Sequence, residues 1–91
     1  MEFEFDVEKS AANTIKHGID FEAAKELWKD TQSIEIASQY PFEERYLVIG
    51  RIGDKHWTAI TAYREKRIRI ISVRRSRANE RKAYDNCGGV R

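Results

Sequence analysis

The sequence holds 91 residues, enough to build one modest core and too few for two. Hydrophobic residues at 41% argue against wholesale disorder, and a single cysteine, Cys87, excludes an internal disulfide. No apolar run approaches a membrane span and no signal-peptide pattern opens the chain, so one cytoplasmic domain over residues 1–91 is expected, with 86–91 as a flexible tail. The net charge of +2 conceals a polarity. From Met1 to Glu44, four Lys/Arg stand against eleven Asp/Glu; from Arg45 to Arg91, thirteen stand against four. Such asymmetry points to a polyanion-facing surface in the second half.

Glu2-Phe3-Glu4-Phe5 alternates with period two and predicts a short strand. Asp6 is placed to cap a helix in which Val7, Ala11 and Ile15 recur every four residues and draw an apolar face. Gly18 suits the position after that helix. Asp20 can cap a second helix carrying Phe21, Ala24, Leu27 and Trp28, close enough to the first to form a two-helix hairpin. The texture then turns to strands: Ser33–Ser38, a break at Tyr40-Pro41, Arg45–Ile52, a turn at Gly53-Asp54, His56–Tyr63, a turn at Arg64-Glu65-Lys66, and Arg67–Val73. Ser76 is positioned to cap a last helix running to about Asn86, and Gly88-Gly89 closes it. The expected fold class is α+β: a short N-terminal strand and two-helix hairpin, an antiparallel β-meander and a C-terminal helix.

The sequence has no Gly-rich phosphate loop and no CxxC, and its two histidines, His17 and His56, lack metal-ligand spacing. No metal or cofactor is therefore expected. Arginine dominates instead: Arg64, Arg67, Arg69, Arg74, Arg75, Arg77 and Arg81 fall within eighteen residues. Guanidinium groups grip phosphate oxygens in a bidentate manner. On a strand, Arg67 and Arg69 point away from Ile68 and Ile70, and the arginines are expected to gather into one cationic pocket. Tyr63, Trp57 and Tyr84 are aromatics available for stacking on bases. Pairing of the arginines with the acidic first half is the competing expectation. A second cluster, Asn13, Lys16 and His17, sits at a helix C-terminus where the dipole favours a cation. There His17 serves either as a proton donor or as a cap on the last carbonyls, and the cap is the simpler reading.

Several elements together resemble one family: Phe3-Glu4-Phe5-Asp6, Lys9, Asn13-x-x-Lys16-His17-Gly18, Phe21-Glu22-x-Ala24, Glu44-Arg45, Ile49-Gly50, Tyr63-Arg64, Ile68-Arg69-Ile70-Ile71-Ser72-x-Arg74 and Glu80-Arg81-x-x-Tyr84. They resemble the BrnT ribonuclease toxins of bacterial type II toxin-antitoxin systems, across nearly the whole chain. The resemblance implies a RelE-like fold and endoribonuclease activity. It also implies an antitoxin with a ribbon-helix-helix DNA-binding domain, through which the complex reaches operator DNA. Phe5 stands where the family usually has Trp, Val73 where Ala is common, and residues 87–91 match nothing in its pattern.

Metal-independent RNA cleavage uses the substrate's 2′-hydroxyl as nucleophile and needs cations for the phosphorane charge. Catalytic roles are accordingly expected of Lys16, His17, Arg64, Arg69, Ser72, Arg74 and Tyr84. RNA binding is expected of Lys9, Asn13, Arg45, Arg67, Arg75, Arg77 and Arg81. The alternative is a non-catalytic module that binds nucleic acid or the antitoxin through the same basic face.

Overall fold

The structure, a computed structural model, describes residues 2–38, 41 and 43–88. Its elements in chain order are β1 (Glu2–Glu4), α1 (Val7–His17), α2 (Phe21–Ala24) continued by a 3-10 turn (Lys25–Lys29), β2 (Ile34–Ser38), β3 (Arg45–Ile52), β4 (Lys55–Arg64), β5 (Arg67–Arg75) and α3 (Ala78–Gly88). The α+β class and the element sequence match expectation. Tyr40 of the expected Tyr40-Pro41 break lies outside the described residues, as does the tail from 89 onward. Helix α3 runs to Gly88, two residues past its expected end.

The five strands form one sheet in the order β1-β5-β4-β3-β2. Strands β2 to β5 are an antiparallel meander, while β1 joins β5 in parallel, Phe3 opposite Ile68. Gly53 (φ 65°) opens the two-residue turn between β3 and β4, and Glu65 (φ 56°) does the same between β4 and β5. A positive φ costs glycine little and costs Glu65 about 1–2 kcal/mol.

One face of the sheet carries the core. Val48, Trp57, Ala59, Ile70 and Val73 pack against Ile19 and against Phe21, Ala24 and Leu27 of α2 and its 3-10 extension, with Phe3, Phe5 and Trp28 at the margin. Trp28 meets Phe3 edge-on at 4.9 Å, and Phe5 meets Phe21 at 5.6 Å. The Phe5 departure from the family pattern therefore falls in the helix-side packing.

Helix α1 is oriented against expectation. Asp6 caps it as foreseen, accepting from the Glu8 and Lys9 amides, and Gly18 ends it with φ 81°. Its buried residues, however, are the polar Ser10 and Asn13, while Val7 and Ile15 are 75% and 90% exposed. The Ser10 hydroxyl accepts from the Phe21 amide. The Asn13 carboxamide donates to the Ile19 and Val73 carbonyls and accepts from the Val73 amide. Strand β1 covers the outer edge of β5 only from Arg67 to Arg69. Beyond it, Asn13 satisfies both backbone groups of Val73 that a missing strand would otherwise have paired.

Candidate functional site

The other face of the sheet is half-open. The strand register and side-chain alternation place Leu47 and Ile49 of β3, Thr58, Ile60, Ala62 and Arg64 of β4, and Arg67 and Arg69 of β5 upon it. Helix α3 covers one end.

A bulge decides which arginines share this face. Ile60 pairs with Ser72 and Thr61 with Ile70, so Ile71 is an extra residue in β5. Simple alternation from Arg67 and Arg69 would send Arg74 to the core face and Arg75 to the open one. The bulge reverses both. Ile71 and Ser72 are successive half-buried residues, and Arg74 joins Arg69 on the open face. Arg75 turns to the core side, its guanidinium 5.5 Å from the centre of the Trp57 ring.

The arginines do not form one pocket; they divide between two ends of the face. At the β4–β5 hairpin end, Arg64 and Arg67 are directly opposite one another, exposed, and without a hydrogen-bonding or ion-pair partner among the described residues. Arg69 lies one step inward, opposite Ala62, and is held by Glu4 of β1 at 2.9 Å. Arg45 begins β3 at the same end, and its Nε bonds Glu43 at 3.0 Å. Like charges placed directly opposite across two strands destabilise a sheet. The Arg64–Arg67 pair thus makes a site that favours an anion between its members.

At the α3 end, Arg74 and Glu80 form a two-pronged pair, Nη1 to Oε1 at 2.7 Å and Nη2 to Oε2 at 2.8 Å. Glu80 is buried, and it also accepts from Thr58 Oγ1 and from the Arg77 amide. The Arg74 hydrogen bonds lead in holding the Glu80 carboxyl down at about 2, with burial opposing and the Arg77 amide and Thr58 assisting. The same pairing raises Arg74 further. Ser76 was expected to cap α3. Its hydroxyl instead meets Thr58 Oγ1 at 2.8 Å, and Glu80 reaches back to the amide of Arg77, the residue just before the helix. Arg81 donates to the Ser76 carbonyl, and the Arg77 side chain is exposed nearby.

Between the two ends, Ser72 stands among half-buried Leu47, Ile60 and Ile71, with Ile36 of β2 40% exposed. The aromatics expected to stack on bases are elsewhere. Trp57 is in the core. Tyr63 lies on the helix side, meeting Tyr46 at 5.2 Å and donating to Glu35, a bond that with burial pushes its hydroxyl up to about 12. Tyr84 is buried, and burial followed by its 2.7 Å bond to Asp30 pushes it up to about 12. The Tyr84 hydroxyl is thus engaged with Asp30 and away from the strand arginines. Asn13 is buried as a structural link to Ile19 and Val73, and Arg75 is exposed with its guanidinium over Trp57.

Lys9 and Lys16 are exposed on α1, and His17 is half-buried in its last turn. None of the three shares a hydrogen bond or ion pair with the strand arginines among the described residues. Sequence reasoning missed Glu80 and Thr58 as site residues. The signal was present in Glu80, three residues after Arg77 at a helix start, but only the fold shows that its carboxylate faces Arg74. Among the described residues, no group of three His, Cys, Asp or Glu is arranged to hold a metal ion.

No curated protein matches the chain. Residues 5–80 match the model of the family described as ribonuclease toxin, BrnT, of type II toxin-antitoxin system. That span takes in α1, the whole sheet beyond β1 and the start of α3 with Glu80, so it includes the paired and the unpaired arginines. The chain accordingly belongs to the BrnT family of ribonuclease toxins, acts on RNA, and has a protein antitoxin as its partner.

Proposed function

We propose that RNA lies across the open face of the sheet and is cut there without a metal ion. The observation that carries this reading is the Arg64–Arg67 pair, two like charges directly opposed and held by no ion pair among the described residues. A phosphate seated between them relieves the repulsion and fixes one point of the chain. Arg69 extends the grip inward, Ser72 orients a phosphate through its hydroxyl, and Arg74 presents a guanidinium already held in position by Glu80. Arg45, Arg77 and Arg81 steer the flanking chain, and Lys9 adds charge on α1. The 2′-oxygen attacks phosphorus and the bond to the 5′-oxygen breaks, leaving a 2′,3′-cyclic phosphate and a free 5′-hydroxyl. The arginines stabilise the charge that builds on the phosphorane. Proton transfer is assigned to His17, with Lys16 beside it.

The test is cleavage of single-stranded RNA by the purified chain in the presence of a chelator. Cyclic phosphate ends and at least about tenfold slower cleavage by Arg67→Ala and Arg69→Ala are expected. Cleavage that depends on added magnesium, or wild-type rates in both folded variants, would overturn the reading; a wild-type rate in His17→Ala would remove that residue alone.

For the antitoxin, we take the ribbon-helix-helix type, acting with the toxin on operator DNA in the cytoplasm. A mobility shift of operator DNA by the complex, and none by the toxin alone, is the expected result.

A further inference from the structure

Helix α1 is amphipathic in the wrong sense for a monomer. Its inward residues are Ser10 and Asn13, and its row of Val7, Ala11 and Ile15 faces solvent. Rows at four-residue spacing lie along one side of a helix, and these three span about 12 Å. Val7 and Ile15 are the two most exposed large hydrophobic residues among those described, and they stand on an element anchored at three points: Asp6 caps it, Gly18 ends it, and Asn13 ties it to β5. A rigid helix that presents an aliphatic row outward is the form one helix offers to another.

The charges beside this row define what it accepts. Glu8, next to Val7, is exposed and has no side-chain partner among the described residues, while the exposed Lys9 and Lys16 stand further round the same helix. An RNA strand has no use for an aliphatic row, and Glu8 beside it offers nothing to a phosphate. A polypeptide with matching aliphatic residues and a cation opposite Glu8 satisfies both features.

We infer that the outward row Val7-Ala11-Ile15 of α1 is a docking surface for the antitoxin, which lays an amphipathic helix along it with a basic residue opposite Glu8. The inference rests on family membership for the antitoxin's existence. Toxin recognition and RNA cleavage are then separable by mutation, because the row and the arginines belong to different elements.

The experiment measures binding of the purified antitoxin of the pair to Ile15→Asp, Val7→Asp, Ile15→Leu and Arg67→Ala, with RNA cleavage followed alongside. Ile15→Asp and Val7→Asp are expected to weaken binding by about 30-fold or more and to leave cleavage unchanged. Ile15→Leu should stay within about threefold, as should Arg67→Ala. Exposure of both positions leaves the fold intact, which thermal melts verify, and Ile15→Ala repeats the test with a better helix former. Binding within threefold of wild type for both aspartate variants overturns the inference. So does a dimer of the free chain that Ile15→Asp dissociates while antitoxin binding persists, since the row then belongs to a second copy. Loss of cleavage in Arg67→Ala with normal antitoxin binding supports both readings. Inactive wild type that still binds through Ile15 refutes the nuclease surface only.

Discussion

The two ends of the open sheet face carry the same side chain under opposite conditions. At the hairpin end, Arg64 and Arg67 oppose each other and neither is held in an ion pair among the described residues, although Glu2 of β1 stands opposite Arg67 in the register. At the helix end, Arg74 is clamped by Glu80, which is itself held by Thr58 and the Arg77 amide. The first arrangement costs stability and holds charge ready for an anion. The second fixes a guanidinium in one orientation at the cost of most of its free charge. An arginine count says nothing about this division of labour; only the location of carboxylates does.

The comparison breaks most sharply at Glu80. Glu80→Ala leaves Arg74 and Thr58 without their partner and should lower stability by about 3 kcal/mol, read by urea unfolding. The pH dependence has a definite sign. The Glu80 carboxyl sits at about 2 against an ordinary 4.5, so its contribution is full above about pH 4.5 and is lost as pH falls towards 2. Wild type should lose about 3 kcal/mol across that window through this group, and Glu80→Gln should flatten the loss. An acid limb of the same depth in Glu80→Gln would show that the pair does not govern acid stability.

At the opposite end the effect should appear in activity and not in stability. Arg64→Ala is expected to slow RNA cleavage at least about tenfold, while unfolding stays the same or improves by about 0.5 kcal/mol through relief of repulsion. A marked loss of stability would mean that Arg64 is a structural residue like Arg74. Tyr84→Phe sharpens the boundary between site and scaffold. It should cost about 1 kcal/mol through the lost bond to Asp30 and leave the cleavage rate unchanged. The smallest effect is at the hairpin turn itself, where Glu65→Gly should stabilise the fold by about 0.5–1 kcal/mol by removing a side chain from a positive φ. A loss of stability there would assign Glu65 a role that its backbone angle does not suggest.

Much of this protein was legible in one dimension. Period-two alternation located the strands, Asp6 and Gly18 bounded α1, and the glycine of Gly53-Asp54 marked a turn, because each signal acts over a few residues of its own segment. The motifs spread from Phe3 to Tyr84 were enough to point to the family that the matched span, residues 5–80, shows. What lay beyond reach depended on distant partners. Alternation could not anticipate the extra residue at Ile71, which moves Arg74 and Arg75 to opposite faces. A four-residue apolar period in α1 read as an inward face, yet the uncovered edge of β5 needed a carboxamide more than a methyl group, so Asn13 faces in and Ile15 faces out. The amino-acid order set the local elements and the chemical stock of guanidinium groups. Which of those groups stays free was decided by tertiary packing, since a carboxylate sixty-five residues away, Glu4, neutralises Arg69, and one six residues away, Glu80, captures Arg74.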